Sequence, residues 1–237
     1  MEHNHEHHNH GQKNNLAVPI SIVIAGALIA LAVFMSNKSP SAAVGGANEQ
    51  GGATIESVAK AIKINAKALA KCTESDKYLT KVTDSIAEAQ STGGNGTPWS
   101  IVVTKSGKKY ALSGAQPIEK VKALIDQAIK DEVATTDAKL DNLKPVTATD
   151  HIRGDINAPV KIVQFSDIDC PFCKKFHTTM QEVMKTYGKD GKVAWVFRNF
   201  PLTQLHPDAA NKAEASECIA ELGGNDKFWS FVDGLSK

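Results

Sequence analysis

The chain has 237 residues, a formal net charge of +1 and 42% hydrophobic residues, which is enough apolar content to bury one good core. Its near-zero charge, without a basic stripe interleaved with aromatic residues, argues against a nucleic-acid partner. Four cysteines are too few to staple a disulfide-rich miniprotein, but they suffice for one catalytic pair and one structural bond.

The first fifteen residues are rich in His, Asn and Glu and contain five of the eight histidines. Such a composition cannot form a packed core, so residues 1–15 are predicted to be a disordered tail. The tail could bind a metal ion loosely or could simply be solvated. Because nothing in its spacing fixes a coordination geometry, we predict no metal site there.

Residues 16–35 form a twenty-residue run without a charge, long enough for a helix to span the roughly 30 Å hydrocarbon layer. A buried helix of a globular domain would show a polar face, and this run has none. A cleaved signal peptide is the alternative, with small residues at 41–43 for a peptidase. Because the run exceeds the usual signal core, we interpret it as an uncleaved transmembrane helix in the lipid bilayer. Residues 36–53, rich in Ser, Ala and Gly, are predicted to be a flexible linker.

From Thr54 onward the apolar spacing becomes helical. Three helices are predicted, carrying Ile55, Val58, Ala59 and Ile62, then Leu69 and Cys72, then Leu79, Val82 and Ile86. The glycine-rich residues 93–96 end the third helix. Residues 97–104 then read as a strand entered through proline, residues 109–112 as its hairpin partner, and Pro117 as the start of another helix.

A second group of elements follows an irregular connector. Residues 160–165 read as a buried strand, and the apolar stripe behind the cysteine motif predicts a helix that ends at Gly188. Residues 192–198 should form a second strand parallel to the first. A further helix is predicted over residues 207–222, stopped by two glycines, with a last helix after it.

Cys170 and Cys173 therefore lie where a strand turns into a helix. A thiol at a helix start faces unpaired N–H groups and the positive end of the helix dipole, which lower its pKa from about 8.5. We predict Cys170 as the attacking sulfur and Cys173 as the resolving one, with Pro171 in the first helical turn. A zinc half-site is the alternative, but zinc usually takes four ligands and no second C-x-x-C is present. No cofactor is expected beyond the redox-active disulfide.

Four stretches resemble the DsbA-like family of thiol:disulfide oxidoreductases, the membrane-tethered bacterial kind. They are Phe-Ser-Asp-Ile-Asp-Cys-Pro-Phe-Cys at 165–173, Val-Phe-Arg-Asn-Phe-Pro-Leu at 196–202, Gly-Thr-Pro at 96–98 and Tyr-Ala-Leu-Ser-Gly-Ala-Gln-Pro at 110–117. The resemblance covers nearly everything from Thr54 on. It implies an α/β, thioredoxin-like fold with a helical insertion.

The order of the halves departs from that family, in which the C-x-x-C half comes first. Here residues 54–130 resemble the family's C-terminal half and residues 151–237 its N-terminal half, joined by a connector at 131–150. We therefore expect one thioredoxin-like domain over residues 54–237 in circularly permuted order. Twenty connector residues can reach about 60 Å, which makes a single-chain domain feasible. A domain-swapped dimer is the alternative.

The resemblance also implies a substrate-binding surface. The family residue that corresponds to Pro98 is cis and packs against the cysteine pair, which would leave the Thr97 backbone free to pair with an extended peptide. An ordinary trans-proline loop is the alternative. Pro171 and Phe172, between the cysteines, complete the expected substrate-binding set.

Four other residues carry expectations. Asp167 has the parity of the buried strand positions, so it could relay a proton for Cys173 or simply cap the turn. His177 is predicted to lie on the surface. Cys72 and Cys218 fall on predicted helices on the two sides of the cut, and they form either a structural disulfide or two buried free thiols.

These observations predict a single-pass protein of the bacterial cell membrane with an extracytoplasmic catalytic domain, because disulfide formation needs an oxidising compartment. It would introduce disulfides into extracytoplasmic proteins, whose thiols are its substrates, and a membrane partner would reoxidise it. A disulfide reductase or isomerase of the same fold is one alternative. The other is a non-enzymatic module in which cysteines and the His-rich tail hold a metal.

Overall fold

The computed structural model describes residues 52–132 and 137–237. The predicted tail (1–15) and transmembrane helix (16–35) lie outside the described residues, as does nearly all of the predicted linker. Within the described ranges, no helix is both long and apolar enough to cross a membrane.

Helices and strands alternate in the pattern of a mixed α/β fold. The helices are α1 (Ile55–Ala61), α2 (Ala66–Thr73), α3 (Leu79–Ser91), α4 (Ile118–Ile129), α5 (Pro171–Val183) and α6 (Ala209–Leu235). The strands are β1 (Trp99–Val103), β2 (Lys109–Ser113), β3 (His151–Arg153), β4 (Val160–Ser166) and β5 (Val193–Asn199). A 3-10 helix (Ala138–Asn142) and a π-helical turn (Met184–Gly188) complete the described elements.

The described strands form one five-stranded sheet in the order β2-β1-β4-β5-β3. β4 and β5 are parallel, as predicted, whereas β1 runs antiparallel to β4 with Trp99 opposite Phe165. An antiparallel neighbour starts where the strand beside it ends. The pairing of β1 with β4 therefore brings the start of β1 and the end of β4 to the same edge of the sheet, although they lie far apart in sequence.

Two apolar layers enclose the sheet because successive strand residues point to opposite faces. Ile162 belongs to the core cluster shared with α1, α2, α4, α5 and α6. Val163 and Phe165 point to the other face, where they pack with Leu140 and Leu143 of the connector and with α3. The connector is thus part of the core, whereas the sequence suggested only an irregular link.

β3 was not predicted from the sequence. It is three residues long and pairs antiparallel with β5, His151 opposite Phe197. Its strand conformation depends on the neighbouring strand and on Asn225, whose side chain bonds to both backbone groups of Ile152. Neither partner is visible in the local pattern.

One helix end differs from the prediction and another confirms it. The α-helix after the cysteine motif ends at Val183, and the chain reaches Gly188 through a π-helical turn. The helix predicted to stop at Gly223 and Gly224 does stop there, because Gly224 has non-helical backbone angles, with φ 79°, and separates two helical segments of α6. Glycine adopts such a positive φ without steric cost, so the predicted break is present as a bend.

A disulfide joins Cys72 on α2 to Cys218 on α6. The two cysteines are separated by 146 residues and lie on opposite sides of the connector. The bond therefore ties the helices that precede the sheet to the long helix that follows it. Of the two alternatives left open by the sequence, the structure contains the disulfide.

Candidate active site

Cys170 occupies the junction between β4 and α5. It is the N-cap residue of α5, with extended backbone angles, and Pro171 fills the first turn, where its missing N–H has no intrahelical partner. The Cys170 N–H donates to the Asp167 carbonyl, and the Lys174 N–H donates to the Cys170 carbonyl. These bonds fix the cysteine at the helix start, as the sequence predicted.

Several hydrogen-bond donors converge on the Cys170 sulfur and lower the pKa of this thiol to about 5. The largest contribution is the Cys173 thiol, and the N–H groups of Cys173 and Phe172 add to it. Burial opposes them. The Thr97 carbonyl oxygen, 3.5 Å from Cys170 Sγ, also favours the protonated form, which alone can donate to it. Because the donors prevail, Cys170 is a thiolate at neutral pH.

Cys173 has the opposite character. Burial raises the pKa of its thiol, and donation to Cys170 raises it further, while the Ser166 side chain acts in the other direction. Both cysteines are free thiols and both are buried, with 4% and 3% of their surface exposed. The pair thus consists of one anionic sulfur and one thiol that retains its proton.

The Thr97–Pro98 loop lies against this pair. The Thr97–Pro98 peptide bond is cis, and the Pro98 carbonyl accepts from the Gly114 N–H. Within the described ranges, neither backbone group of Thr97 forms a backbone–backbone hydrogen bond. The backbone of Thr97 could therefore pair with an extended peptide when the Thr97 carbonyl turns away from Cys170.

Asp167 is buried in the active-site turn and contacts the segment that follows β5. Its carboxylate accepts from the N–H groups of Asp169 and Leu202 and bonds to His206 Nδ1 at 2.8 Å. In the described part of the chain, neither cysteine is among the hydrogen-bond partners of this carboxylate. These contacts are those of a turn-capping carboxylate, and a proton from Cys173 would reach it only through an intermediary.

Asp169, immediately before Cys170, forms an ion pair with Lys212 in the first turn of α6. An unpaired carboxylate at this position would repel the Cys170 thiolate. We therefore expect Lys212 to favour the Cys170 thiolate by neutralising Asp169. Nothing in the sequence spacing indicated Lys212 or His206, because both reach the site from the segment after β5.

We expect Lys212→Gln to raise the pKa of Cys170 by about half to one unit, because the Asp169 charge is then uncompensated. The reduction potential should fall by about 15–30 mV, since one pKa unit corresponds to about 1.4 kcal/mol and thus about 30 mV. Equilibration with glutathione measures this shift. Adding Asp169→Asn should restore the potential, and Lys185→Gln, at an exposed site, should not change it. An unchanged potential in Lys212→Gln would contradict this role.

His177 does not lie on the surface, as the sequence suggested. It is 3% exposed, packs against the ring of Trp195 with centroids 4.8 Å apart, and bonds to Asp233 through Nε2 at 2.6 Å. Asp233 also pairs with Arg153, and the hydrogen bonds and charges of both partners hold the pKa of this carboxyl well below its usual range despite burial. The prediction failed because α6 covers this face of α5.

Two large apolar side chains remain exposed near the cysteine pair. Phe172, between the two cysteines, is 64% exposed, and Leu205, in the loop that binds Asp167 through His206, is 70% exposed. Pro171 is also exposed. Apolar groups left in water around a reactive sulfur are typical of a surface that binds another polypeptide.

The alternative of a metal site finds no support in the part of the chain that the structure describes. No group of three or more His, Cys, Asp or Glu side chains there is arranged to hold a metal ion. The His-rich tail lies outside the described residues.

A C-x-x-C pair at a helix start, facing a cis-proline loop on a mixed five-stranded sheet, defines the thioredoxin fold class that the sequence predicted. Two family models agree. Residues 41–126 match the DSBA-like thioredoxin domain, and residues 146–236 match a thioredoxin domain. The predicted resemblance to DsbA-like thiol:disulfide oxidoreductases is thereby confirmed.

Curated relatives include proteins of two kinds. A probable disulfide bond formation protein D of Bacillus cereus is 37% identical over 89 residues, covering 37% of this chain and 40% of that protein. Na(+)/H(+) antiporter NhaA 1 of Mycolicibacterium vanbaalenii is 39% identical over 94 residues, covering 39% of this chain. NhaA 3 of Salinispora tropica is 40% identical over 86 residues, covering 36%. The chain spans only 14% and 12% of these two antiporters. No solved structure matches the chain.

Proposed function

We propose that the chain is a membrane-anchored thiol:disulfide oxidoreductase that introduces disulfides into extracytoplasmic proteins. The low pKa of Cys170 carries this proposal. A stabilised thiolate favours the reduced dithiol over the disulfide, so the oxidised enzyme readily passes its disulfide to a substrate. The DSBA-like match and the disulfide bond formation relative support the same chemistry.

The exchange proceeds in two steps. A substrate thiolate attacks Cys170 Sγ of the oxidised pair, the Cys170–Cys173 bond breaks, and Cys173 leaves and takes up a proton. A second substrate thiolate then attacks the substrate sulfur of the mixed disulfide and releases Cys170 as a thiolate. The substrate loses two electrons and the enzyme gains them. A low pKa makes Cys170 a good leaving group in the second step.

The substrate in this proposal is an extended polypeptide. Thr97 offers backbone groups beside the cis-proline, and Phe172 and Pro171 offer exposed apolar surface next to Cys170. Main-chain pairing tolerates many sequences, while apolar contacts favour unfolded chains over folded ones. This arrangement suits an enzyme that oxidises proteins before they fold.

We further propose that the domain is a circular permutant of the DsbA-like fold. The DSBA-like match precedes the thioredoxin match along the chain, whereas the cysteine motif lies in the second of them. The pairing of β1 with β4 supports a domain that both halves complete together. The Arg198 guanidinium holds the connector in place by donating to the carbonyls of Lys144 and Pro145.

The membrane anchor is proposed from residues 16–35 and from the relatives. The antiporter relatives and the disulfide bond formation relative support a membrane-associated bacterial protein. The Cys72–Cys218 disulfide supports an extracytoplasmic domain, because such bonds persist mainly in oxidising compartments. A membrane partner that accepts electrons from Cys170 and Cys173 would complete the cycle.

Equilibration of the full chain with reduced and oxidised glutathione tests the direction of the reaction. We expect a reduction potential nearer the value of about −120 mV known for DsbA than the value of about −270 mV of thioredoxin. A potential near that of thioredoxin would reject the oxidase and favour the reductase or isomerase. Stoichiometric metal bound through Cys170 and Cys173 after dialysis would reject both.

A further inference from the structure

An apolar groove lies between α1, α2 and the first turns of α6, and the disulfide exchange makes no use of it. Its volume is about 630 Å³. The floor is formed by Ala59, Leu69 and Ala215, which are buried, and by Ile55 and Ile64, which are half-buried. The groove therefore offers an apolar surface that the described part of the chain does not cover.

Carboxylates dominate the rim of this groove. Glu56, Glu74, Asp76 and Glu214 line it, and Lys60 is the one cation among the lining residues. Within the described ranges, none of these four carboxylates takes part in a salt bridge. Partial burial raises the pKa of Glu214, and the charge of Asp76 raises it further. A cation placed between these groups would relieve their mutual repulsion.

The wall formed by α2 allows close approach. Ala66 and Ala70 line the groove and are exposed, and neither side chain extends beyond Cβ. A helix laid against α2 could therefore bring its apolar side chains down to Leu69 and Ala215. This is the geometry in which grooves between helices bind amphipathic helices.

We propose that this groove docks an amphipathic helix of a partner protein, with an apolar stripe against the floor and Lys or Arg residues against the acidic rim. Burial of the stripe would supply affinity, and the complementary charges would set specificity and the rate of encounter. A second copy of this chain docked by two-fold symmetry would instead bring one acidic rim against the other. A small neutral ligand would leave the four carboxylates without partners.

The groove adjoins the active-site segment through α6. Asn211 and Glu214 line the groove, while Lys212, in the same turn of α6, forms the ion pair with Asp169 beside Cys170. A partner held in the groove would therefore lie within a helical turn of that ion pair. The docking itself needs neither cysteine, so it can be tested separately from the redox chemistry.

The test uses the full chain in neutral detergent and a fluorescent peptide of about fifteen residues, built from Leu at helical i, i+3, i+4, i+7 spacing and Lys elsewhere. Fluorescence anisotropy should show saturable binding of one peptide per chain. Glu74→Lys combined with Glu214→Lys should weaken binding tenfold or more, as should Ala70→Trp, which fills the groove. Glu119→Lys combined with Glu182→Lys is the matched control, since it reverses two carboxylates at exposed sites of α4 and α5, and its affinity should stay within twofold of the parent.

Four results would overturn the proposal. The first is equal binding of a peptide with Glu in place of every Lys. The second is unchanged affinity in the double charge-reversal variant. The third is photocrosslinking of the peptide to residues outside the groove. The fourth is crosslinking, without peptide, that places a second copy or residues 1–51 in the groove. Circular dichroism of each variant distinguishes loss of binding from loss of fold.

Discussion

Replacing Cys173 with serine is expected to abolish catalysed disulfide formation, because the Cys170–Cys173 disulfide that a substrate thiolate attacks can no longer form, and to leave Cys170 trapped in mixed disulfides. Cys170 remains able to react with a substrate disulfide or with oxidised glutathione, but no second enzyme thiol is present to resolve the product. Catalysed disulfide formation should fall on the order of a thousandfold or more, as when a member of a concerted catalytic group is removed. Mass spectrometry of the non-reduced protein measures the adduct.

Two comparisons make this result specific. Cys170→Ser should form no adduct at Cys173, because Cys173 is buried and burial raises the pKa of its thiol. Cys173→Ala should raise the pKa of Cys170 more than Cys173→Ser, since only serine can still donate a hydrogen bond to Cys170. An adduct at Cys173 in the Cys170→Ser variant would reverse the assignment of the attacking and resolving sulfurs.

Replacing Arg198 with methionine is expected to destabilise the folded domain by about 3–5 kcal/mol, because it leaves the buried Glu88 carboxylate and the partly buried Asp150 carboxylate without their cation. Arg198 Nη1 donates to Glu88 at 2.6 Å, and Nε donates to Asp150 at 2.8 Å. Its guanidinium also bonds to the carbonyls of Lys144 and Pro145 in the connector. One side chain thus holds α3, β5 and the connector together.

Urea denaturation of the parent and the variant measures this loss. Adding Glu88→Gln and Asp150→Asn to Arg198→Met should recover part of the stability, because the uncompensated charges are then removed. Lowering the pH should also reduce the difference in the free energy of unfolding between the parent and Arg198→Met, since protonation neutralises the same carboxylates. Burial already raises the pKa of Glu88 beside Arg198. An exposed control, Lys185→Met, should change stability by no more than about 0.5 kcal/mol, and an equally small effect of Arg198→Met would contradict the role of this cluster.

The sequence predicted those features that depend on local pattern. The β-branched run at β4, the proline after Cys170 and the apolar stripe of α5 together placed the cysteine pair at a helix start. The positions of Thr97 and Pro98 beside it followed from a family resemblance, and the pairing of β1 with β4 brings these segments together. In such cases local propensity and the global fold agree.

What the sequence did not reveal depends on contacts between distant segments. The three-residue strand β3 exists because β5 and Asn225 pair with it, and His177 is buried because α6 covers it. His206 approaches the active site from a loop and Lys212 from a helix start. Neither sequence carries a signal for that role. Tertiary packing fixed each of these features, and local spacing does not report it.

The pKa of Cys170 also determines how stability changes with pH. The folded reduced protein holds a thiolate at a pH where the unfolded chain holds a thiol, so the unfolded chain binds one more proton between about pH 5 and the ordinary cysteine value of about 8.5. The stability of the reduced protein relative to the oxidised protein should therefore rise with pH across this window. The stabilisation that the Cys170 thiolate gives the reduced protein should be lost as the pH falls through about 5.

Thiolate absorbance at 240 nm, recorded for the reduced full chain as the pH is raised from 3 to 10, tests the central claim most directly. Subtracting the titration of Cys170→Ser isolates the signal of one sulfur. We predict a midpoint of about 5 for Cys170. A midpoint near 8.5 would contradict the account, because Cys170 would then be an ordinary thiol that favours neither the reduced pair nor rapid exchange.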